Sequence, residues 1–340
     1  MRNVTRIGID LAKHVFQLHG VDDRGHTVLR RRISRTQLRP FFAQLRPCLV
    51  GLEACGSAHY WARELTALGH DVRLMAPQFV APYRKNDKND GNDAEAICEA
   101  VGRPHMRFVP IKDLAQQAVL TVHRARQLLV AERTALVNQT RGLLAEYGLI
   151  IPVGVGALRR AWATLLETPE LPALAREVFT DLADRLRALD ERIAVYDRRV
   201  AQLARQTAPA QRLMQVPGVG PVTATALMAT VGDARTFRNG RQFAAWLGMV
   251  PRHHASGGTR RLGRITKRGD VYLRTLLIHG ARAVLRQVSR RTDATSRWAT
   301  ALKARRGFNK AVVALAAKPA RILWALLATG RPYQPASAGT

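Results

Sequence analysis

Apolar residues in the first part of the chain fall into short runs that stop at acids or turn formers, a spacing that favours strands over long helices. Residues 4–10 and 14–21 read as two strands. Asp22, Asp23 and Gly25 supply turn chemistry before a third strand at 26–33. A fourth run at 48–52 ends in Glu53, residues 58–68 carry helical spacing, and 71–75 reads as another strand.

The middle of the chain changes period. Leu114, Ala118, Ala125, Leu129, Leu136 and Leu143 fall at heptad-compatible spacings, and Gly148 stands where a helix stop is expected. Leu182, Leu186, Leu189, Ile193, Tyr196, Val200 and Leu203 then alternate four and three apart, the seam of a coiled coil sustained for about three heptads. Such a seam serves equally for two antiparallel helices in one chain or for a zipper between chains. Pro152, Gly154, Gly156 and Pro169 mark a linker near 150–172. Beyond residue 211, Val216-Pro217-Gly218-Val219-Gly220-Pro221 precedes a small-residue helix at 222–231 and has the form of a helix-hairpin-helix turn. In such a turn Gly218 and Gly220 let backbone approach phosphate, and the helix offers its free N–H groups; a tight turn between packed helices is the plainer alternative. Phe243 and Trp246 are expected in the core of this region.

Three meander strands followed by alternating helix and strand predict an α/β domain of ribonuclease-H-like layout over 1–110. A helical coiled-coil stalk over 111–208, a mainly helical domain over 209–330 and a flexible tail over 331–340 follow.

Charge narrows the partner. Fifty-four Lys and Arg against 25 Asp and Glu give a formal net charge of +29 and a pI near 11.5. An excess of that size points to a polyanion, with nucleic acid first. With 47% apolar residues in 340, the chain can bury more than one core, which excludes a disordered basic tail. Aromatic residues are only 6%, so phosphate contacts rather than stacking are expected to carry binding. The first twelve residues lack a signal-peptide pattern. The apolar stretch 311–327 is interrupted by Lys318, Pro319 and Arg321, so it reads as a packed helix pair rather than a membrane span of about 20 residues. A cytoplasmic protein, nucleoid-associated when bound to DNA, is expected. Cys48, Cys55 and Cys98 form no CxxC pair and read as reduced thiols.

Against that basic background four acids stand out: Asp10 and Glu53 at strand ends, and Asp90 and Asp93 before a helix expected at 94–101. Phosphodiester chemistry needs the phosphate made electrophilic and the leaving oxygen neutralised, and two Mg²⁺ ions about 3.5–4 Å apart do both. Carboxylates with water are the natural protein ligands of Mg²⁺ or Mn²⁺. Asp93 is equally well placed to be a helix N-cap. Asp87, Asp90 and Asp93 recur at intervals of three, which leaves the register of the set open.

The segments Ile7-Gly8-Ile9-Asp10-Leu11-Ala12-Lys13, Gly51-Leu52-Glu53-Ala54, Lys88 to Ala96, Pro217 to Pro221 and Ser256-Gly257-Gly258 resemble, in this order, the DEDD transposases of bacterial insertion sequences. That group, insertion sequence 110/1111, is related to the Piv-type DNA invertases, and the similarity runs from about residue 5 to residue 330. The resemblance favours Asp90 and Asp93 over Asp87, because the family pattern has Ala after the last Asp. It implies a RuvC-like first domain carrying a metal tetrad, a coiled-coil connection and a C-terminal transposase domain with a serine nucleophile. It also implies a structured noncoding RNA that bridges element and target DNA. Ser256 is the matching serine; Ala255 stands where the family often has another.

Residues 251–310 hold sixteen Lys and Arg against Asp270 and Asp293. A hydroxyl on a glycine loop beside Arg260, Arg261, Arg264, Lys267 and Arg268, with Gly257 giving close approach, is placed to attack a phosphate that those cations hold. His253 and His254 precede it and are candidates for a base, with contact to phosphate or solvent as their simpler role. Exchange among four DNA strands, together with the heptad seam, favours a homodimer or tetramer. Two other functions are compatible with the same residues: a RuvC-type metal-dependent endonuclease using water, and a nonenzymatic architectural protein.

Overall fold

In a computed structural model that describes residues 3–85, 89–169, 171–256, 258–288 and 293–334, the chain divides into two units, Met1–Ala115 and Gln116–Thr340. The side chains of residues 255, 256 and 260 are outside that description, as are Asp87 and Gly257 entirely.

The first unit is built on strands β1 (Arg6–Leu11), β2 (Val15–Val21) and β3 (Thr27–Ser34), then helix α1 (Leu38–Ala43), β4 (Leu49–Glu53), α2 (Ala58–Ala67) and β5 (Asp71–Met75). Helices α3 (Pro77–Val80) and α4 (Asp90–Val101) and the short strand β6 (Phe108–Val109) complete it. The sheet order is β3-β2-β1-β4-β5-β6. β1 pairs antiparallel with β2 and parallel with β4, β4 pairs parallel with β5, and β6 closes antiparallel on β5. The expected meander is present, and its β2–β3 turn is held by Asp22 Oδ1, which accepts from the N–H groups of Arg24 and His26 at 3.0 and 2.8 Å.

Strand alternation sorts the side chains onto two faces. Ile7, Ile9, Val50 and Leu52 point into a core with Leu38, Phe42, Trp61 and Leu65 from α1 and α2. The alternate residues Gly8 and Gly51 face α4. A Cβ on Gly8 would lie 2.2 Å from the Ala94 carbonyl oxygen, and one on Gly51 would lie 2.7 Å from Val101 Cβ. Absence of side chains at these positions lets α4 lie directly on the sheet.

The second unit opens with α5 (Leu114–Ala145), followed by α6 (Val155–Leu166), α7 (Ala173–Gln206), α8 (Ala208–Met214) and α9 (Pro221–Val231). Then come α10 (Gly240–Trp246), a hairpin of β7 (Pro251–Ser256) and β8 (Thr259–Ile265), and helices α11 (Val271–Gln287), α12 (Ala294–Arg306) and α13 (Phe308–Thr329). α5 stops where expected: Gly148 takes φ +75° and the Leu149 N–H reaches back to the Leu144 carbonyl at 3.0 Å.

The seam on α7 buries Leu186, Leu189, Ile193 and Val200 as its spacing predicts. It meets α5 within the same chain. Arg126 Nε donates to Asp197 at 2.5 Å and Arg133 Nη1 to Asp190 at 3.1 Å, a register that fixes the two helices antiparallel. On α5 the heptad reading is only partly followed, because Leu136 is buried while Leu114 and Leu143 are exposed.

Two expectations are corrected. The linker near 150–172 contains α6, whose Leu158 and Leu165 join the core of the helix pair; its flanking Gly and Pro delimit a helix rather than a loop. The pair of helices expected at 311–327 is one helix, α13, with Pro319 inside it. Burial of Leu315, Ala316, Ala320 and Leu323 on either side of the proline outweighs the lost backbone hydrogen bond. α13 is long and apolar enough to cross a membrane, but it packs in the main core of its unit with Leu227, Phe243 and Leu277. Of the predicted tail, residues 331–334 are described, and the Tyr333 N–H donates to Gln215 Oε1 at 3.2 Å; residues 335–340 lie outside the description.

Candidate active site

Asp10 and Glu53 follow Ile9 and Leu52, which are directly paired across the parallel β1–β4 ladder. Their side chains therefore leave the sheet side by side, on the face that Gly8 and Gly51 leave to α4. Both are half-buried. The Cys55 thiol, on the exposed turn after β4, is held above its usual range by partial desolvation first, then by the charges of Glu53 and Asp10.

α4 runs against β1. Its later residues approach the start of the strand, where the Cys98 thiol donates to the Arg6 carbonyl at 3.7 Å, while Ala94 lies over Gly8. Its first turn, with Asp90 and Asp93, consequently points toward the strand end that carries Asp10. The two acids belong to the helix itself rather than to the loop before it, a correction to the predicted start at residue 94. Asn89 is the cap, its side chain accepting from the Asn92 N–H at 2.9 Å, so capping is not the role of Asp93. Negative charge in this first turn also suits the positive end of the helix dipole.

Arg84 Nη1 donates to Asp93 Oδ1 at 3.1 Å, a contact that no sequence signal announced. Among the described residues no three His, Cys, Asp or Glu side chains converge closely enough to hold one ion. What the fold supplies is two neighbouring strand ends on the face covered by α4, and carboxylates whose oxygens are the donors that Mg²⁺ or Mn²⁺ selects.

In the second unit the expected glycine loop around Ser256 is a β-hairpin. Ser256 is the last residue of β7 and pairs with Thr259, and Gly258 makes the turn at φ +77°. The signal that could have found the hairpin was the Gly257-Gly258 pair itself, a common two-residue turn. Arg261 pairs with His254 on the opposite strand, and Arg261, Arg264, Lys267 and Arg268 are all exposed.

Residues 266–269 are clamped against 246–250, with the N–H groups of Thr266 and Lys267 donating to the Val250 and Gly248 carbonyls at 2.9 and 3.0 Å. Cβ atoms on Gly248 and Gly269 would stand 1.9 and 1.8 Å from the Arg268 and Trp246 carbonyl oxygens. These two glycines, overlooked in the sequence, fix where Lys267 and Arg268 project.

The Pro217–Pro221 turn divides its glycines between two tasks. Gly218, at φ +85°, packs on Gly280 of α11, where a Cβ on Gly280 would lie 1.9 Å from the Gly218 carbonyl oxygen. Gly220 is exposed, precedes α9 and has no atom near its missing Cβ. Phe243 is fully buried and stacks on Trp246 at 5.6 Å, as expected of core residues.

Residues 7–149 match the DEDD family of IS110 type, described as a transposase, and residues 210–297 match the transposase IS116/IS110/IS902 family. A Pseudomonas aeruginosa protein named "probable family 20 transposase" is 58% identical, the alignment covering 98% of this chain and 99% of the relative. The transposase for insertion sequence element IS1111A of Coxiella burnetii is 43% identical over 98% of this chain and 92% of its own length. That for element IS1328 of Yersinia enterocolitica is 41% identical over 98% and 99%.

Proposed function

This chain belongs to the IS110/IS1111 family of insertion-sequence transposases, enzymes that cut and rejoin DNA, and from that premise we propose that its nucleophile is Ser256, assisted by a divalent metal at Asp10, Glu53, Asp90 and Asp93. The observation that supports the metal reading is that Asp10 and Glu53 end neighbouring strands on the face of the sheet against which α4, with Asp90 and Asp93 in its first turn, is packed. The first unit is accordingly a RuvC or ribonuclease-H-like domain, a reading supported by its β3-β2-β1-β4-β5 order with the first three strands antiparallel.

The chain's own groups divide the work. Arg261, Arg264, Lys267 and Arg268 hold the phosphate backbone around the hairpin, and Gly220 with the N-terminus of α9 offers a further phosphate contact. The Ser256 hydroxyl gives its proton to solvent and attacks phosphorus. An ester forms between Ser256 Oγ and the phosphate while the bond to the 3′ oxygen breaks and that oxygen takes up a proton from water to leave as a 3′ hydroxyl, so the bond energy is retained. A 3′ hydroxyl from the exchanged strand then displaces the serine, and no ATP is needed. Asp10, Glu53, Asp90 and Asp93 would hold Mg²⁺ or Mn²⁺, which when bound would supply neutralisation of charge on the phosphate and the leaving oxygen.

Element and target DNA are the substrates, and a structured noncoding RNA is the proposed guide, recognised through backbone and shape by the basic surface. Exchange of four strands calls for a dimer or tetramer. The reaction takes place on bacterial DNA, which puts the protein in the cytoplasm, on the nucleoid while bound.

The test is to trap the protein on its own element's DNA with the flanking noncoding RNA and Mg²⁺, then digest and locate nucleotide adducts by mass spectrometry. A nucleotide ester on Ser256, absent in Ser256→Ala and at least about 100-fold reduced in Asp93→Asn with DNA binding retained, is expected. DNA cut without an adduct would transfer the role of nucleophile to water, and full activity of Asp93→Asn would remove the metal.

A further inference from the structure

The second unit carries a groove of about 1480 Å³ between the β7–β8 hairpin and helices α12 and α13. Pockets for single small ligands occupy roughly 300–1,000 Å³, so this one is sized for a segment of polymer. Its lining holds six cations, Arg241, Arg264, Lys267, Lys310, Lys318 and Arg321, and no Asp or Glu among the described residues. Between them the surface is apolar, formed by Met249, Leu262, Val313 and Ala317, and by Trp298, a large indole left 40% exposed. The Lys318 ammonium sits over one face of the Trp298 ring, 5.6 Å from its centroid, and donates to Thr295 Oγ1 at 2.9 Å, so a charge is fixed on that face and a base would stack on the other.

A cationic rim over an apolar floor with an exposed aromatic ring matches one ligand chemistry: a nucleic-acid strand whose phosphates reach the rim and whose unstacked bases lie on the floor. A duplex keeps its base faces inside its own stack and gains nothing from such a floor. The groove wall is continuous with the strand that ends at Ser256, in the hairpin read as the DNA-cutting element, which directs the choice to DNA. Pro251 and His253, from the strand that ends at Ser256, form part of the same wall.

We propose that this groove holds the unpaired DNA strand next to the cleavage point, with a base stacked on Trp298. The inference rests on the reading of the hairpin as the DNA-cutting element and adds to it the state of the DNA, melted rather than duplex, and the residue that holds it open. It also adds to the expectation that phosphate contacts carry binding: one well-placed indole suffices for a base.

The experiment measures fluorescence anisotropy of the full chain with labelled oligodeoxythymidine, a duplex of equal length and oligouridine. Trp298→Ala should weaken oligodeoxythymidine binding about tenfold, Trp298→Phe should restore most of it, and duplex affinity should change less than twofold. Lys310→Gln, on an exposed side chain, should lower the slope of log affinity against log salt for the single strand by about 0.7. Unchanged oligodeoxythymidine binding by a folded Trp298→Ala overturns the proposal, as does equal weakening for the duplex. Tighter binding of oligouridine with the same dependence on Trp298 would assign the groove to RNA and also overturn it. None of these measurements requires cleavage, so a failed Ser256 adduct experiment and a failed groove are told apart.

Discussion

At the scale of single residues, the position of the acids depends on atoms that are missing. Gly8 stands two residues before Asp10, and a Cβ there would penetrate the α4 backbone, 2.2 Å from the Ala94 carbonyl oxygen and 2.3 Å from the Cys98 nitrogen. Backbone cannot swing aside as a flexible side chain can, so Gly8→Ala must lift the helix that carries Asp90 and Asp93. We expect a loss of about 1–3 kcal/mol in unfolding free energy, together with a fall in strand cutting larger than the stability loss explains. Thermal unfolding and a cleavage assay on the same preparation check both. Normal cutting by a destabilised Gly8→Ala would separate the helix position from catalysis.

At the scale of elements, three helices of the second unit meet at a buried histidine. His123 of α5 is 1% exposed, and its ring nitrogens contact Tyr272 Oη on α11 and Thr225 Oγ1 on α9, each at 3.0 Å. Burial first, and then the positive charges of Arg126 and Arg124, push its pKa down to about 4. The folded state therefore keeps His123 neutral at a pH where the unfolded chain, with an ordinary value near 6.5, takes up a proton. Its contribution is complete above about pH 6.5, is lost as the pH falls toward 4 and changes no further below that. The loss is on the order of 3 kcal/mol at most. Denaturant titrations between pH 7 and 4 should show this decline in the native protein and a shallower one in His123→Gln. Equal slopes in the two would remove the histidine from the effect. The antiparallel pairing of α5 and α7 works differently: its Arg126–Asp197 and Arg133–Asp190 pairs are partly exposed, and they set register more than stability.

At the scale of the whole molecule, the +29 charge governs association. Each phosphate neutralised on duplex DNA contributes about 0.9 to the slope of log affinity against log salt. Arg261→Ala and Arg264→Ala, both on exposed side chains of β8, should each reduce that slope by about this amount, measured from 50 to 300 mM salt. An unchanged slope would take them off the DNA surface. The same charge argues that affinity for nucleic acid without sequence preference is high, and that discrimination has to come from elsewhere, in our reading from the guide RNA.

The strands of the first unit, the seam of α7, the stop at Gly148 and the basic surface were legible in the sequence because each rests on a local rule: alternation, heptad spacing, turn chemistry or net charge. Asp10 and Glu53 could be singled out because an acid at the end of an apolar strand breaks its pattern. That they end neighbouring strands was anticipated from the layout; the register that sets them side by side was not, because it depends on long-range packing. The start of α4 was misplaced since Asn89, Asp90 and Asp93 are all good cap residues and only the Asn89–Asn92 contact distinguishes them. Pro319 inside α13 and the helix between Gly154 and Pro169 are cases where burial overrode local signals. The sequence alone determined the kinds of element, the acids and the charge; tertiary structure decided their partners, the clamp at Gly248 and Gly269 and the groove at Trp298, because those depend on residues far apart in the chain coming within a few ångströms.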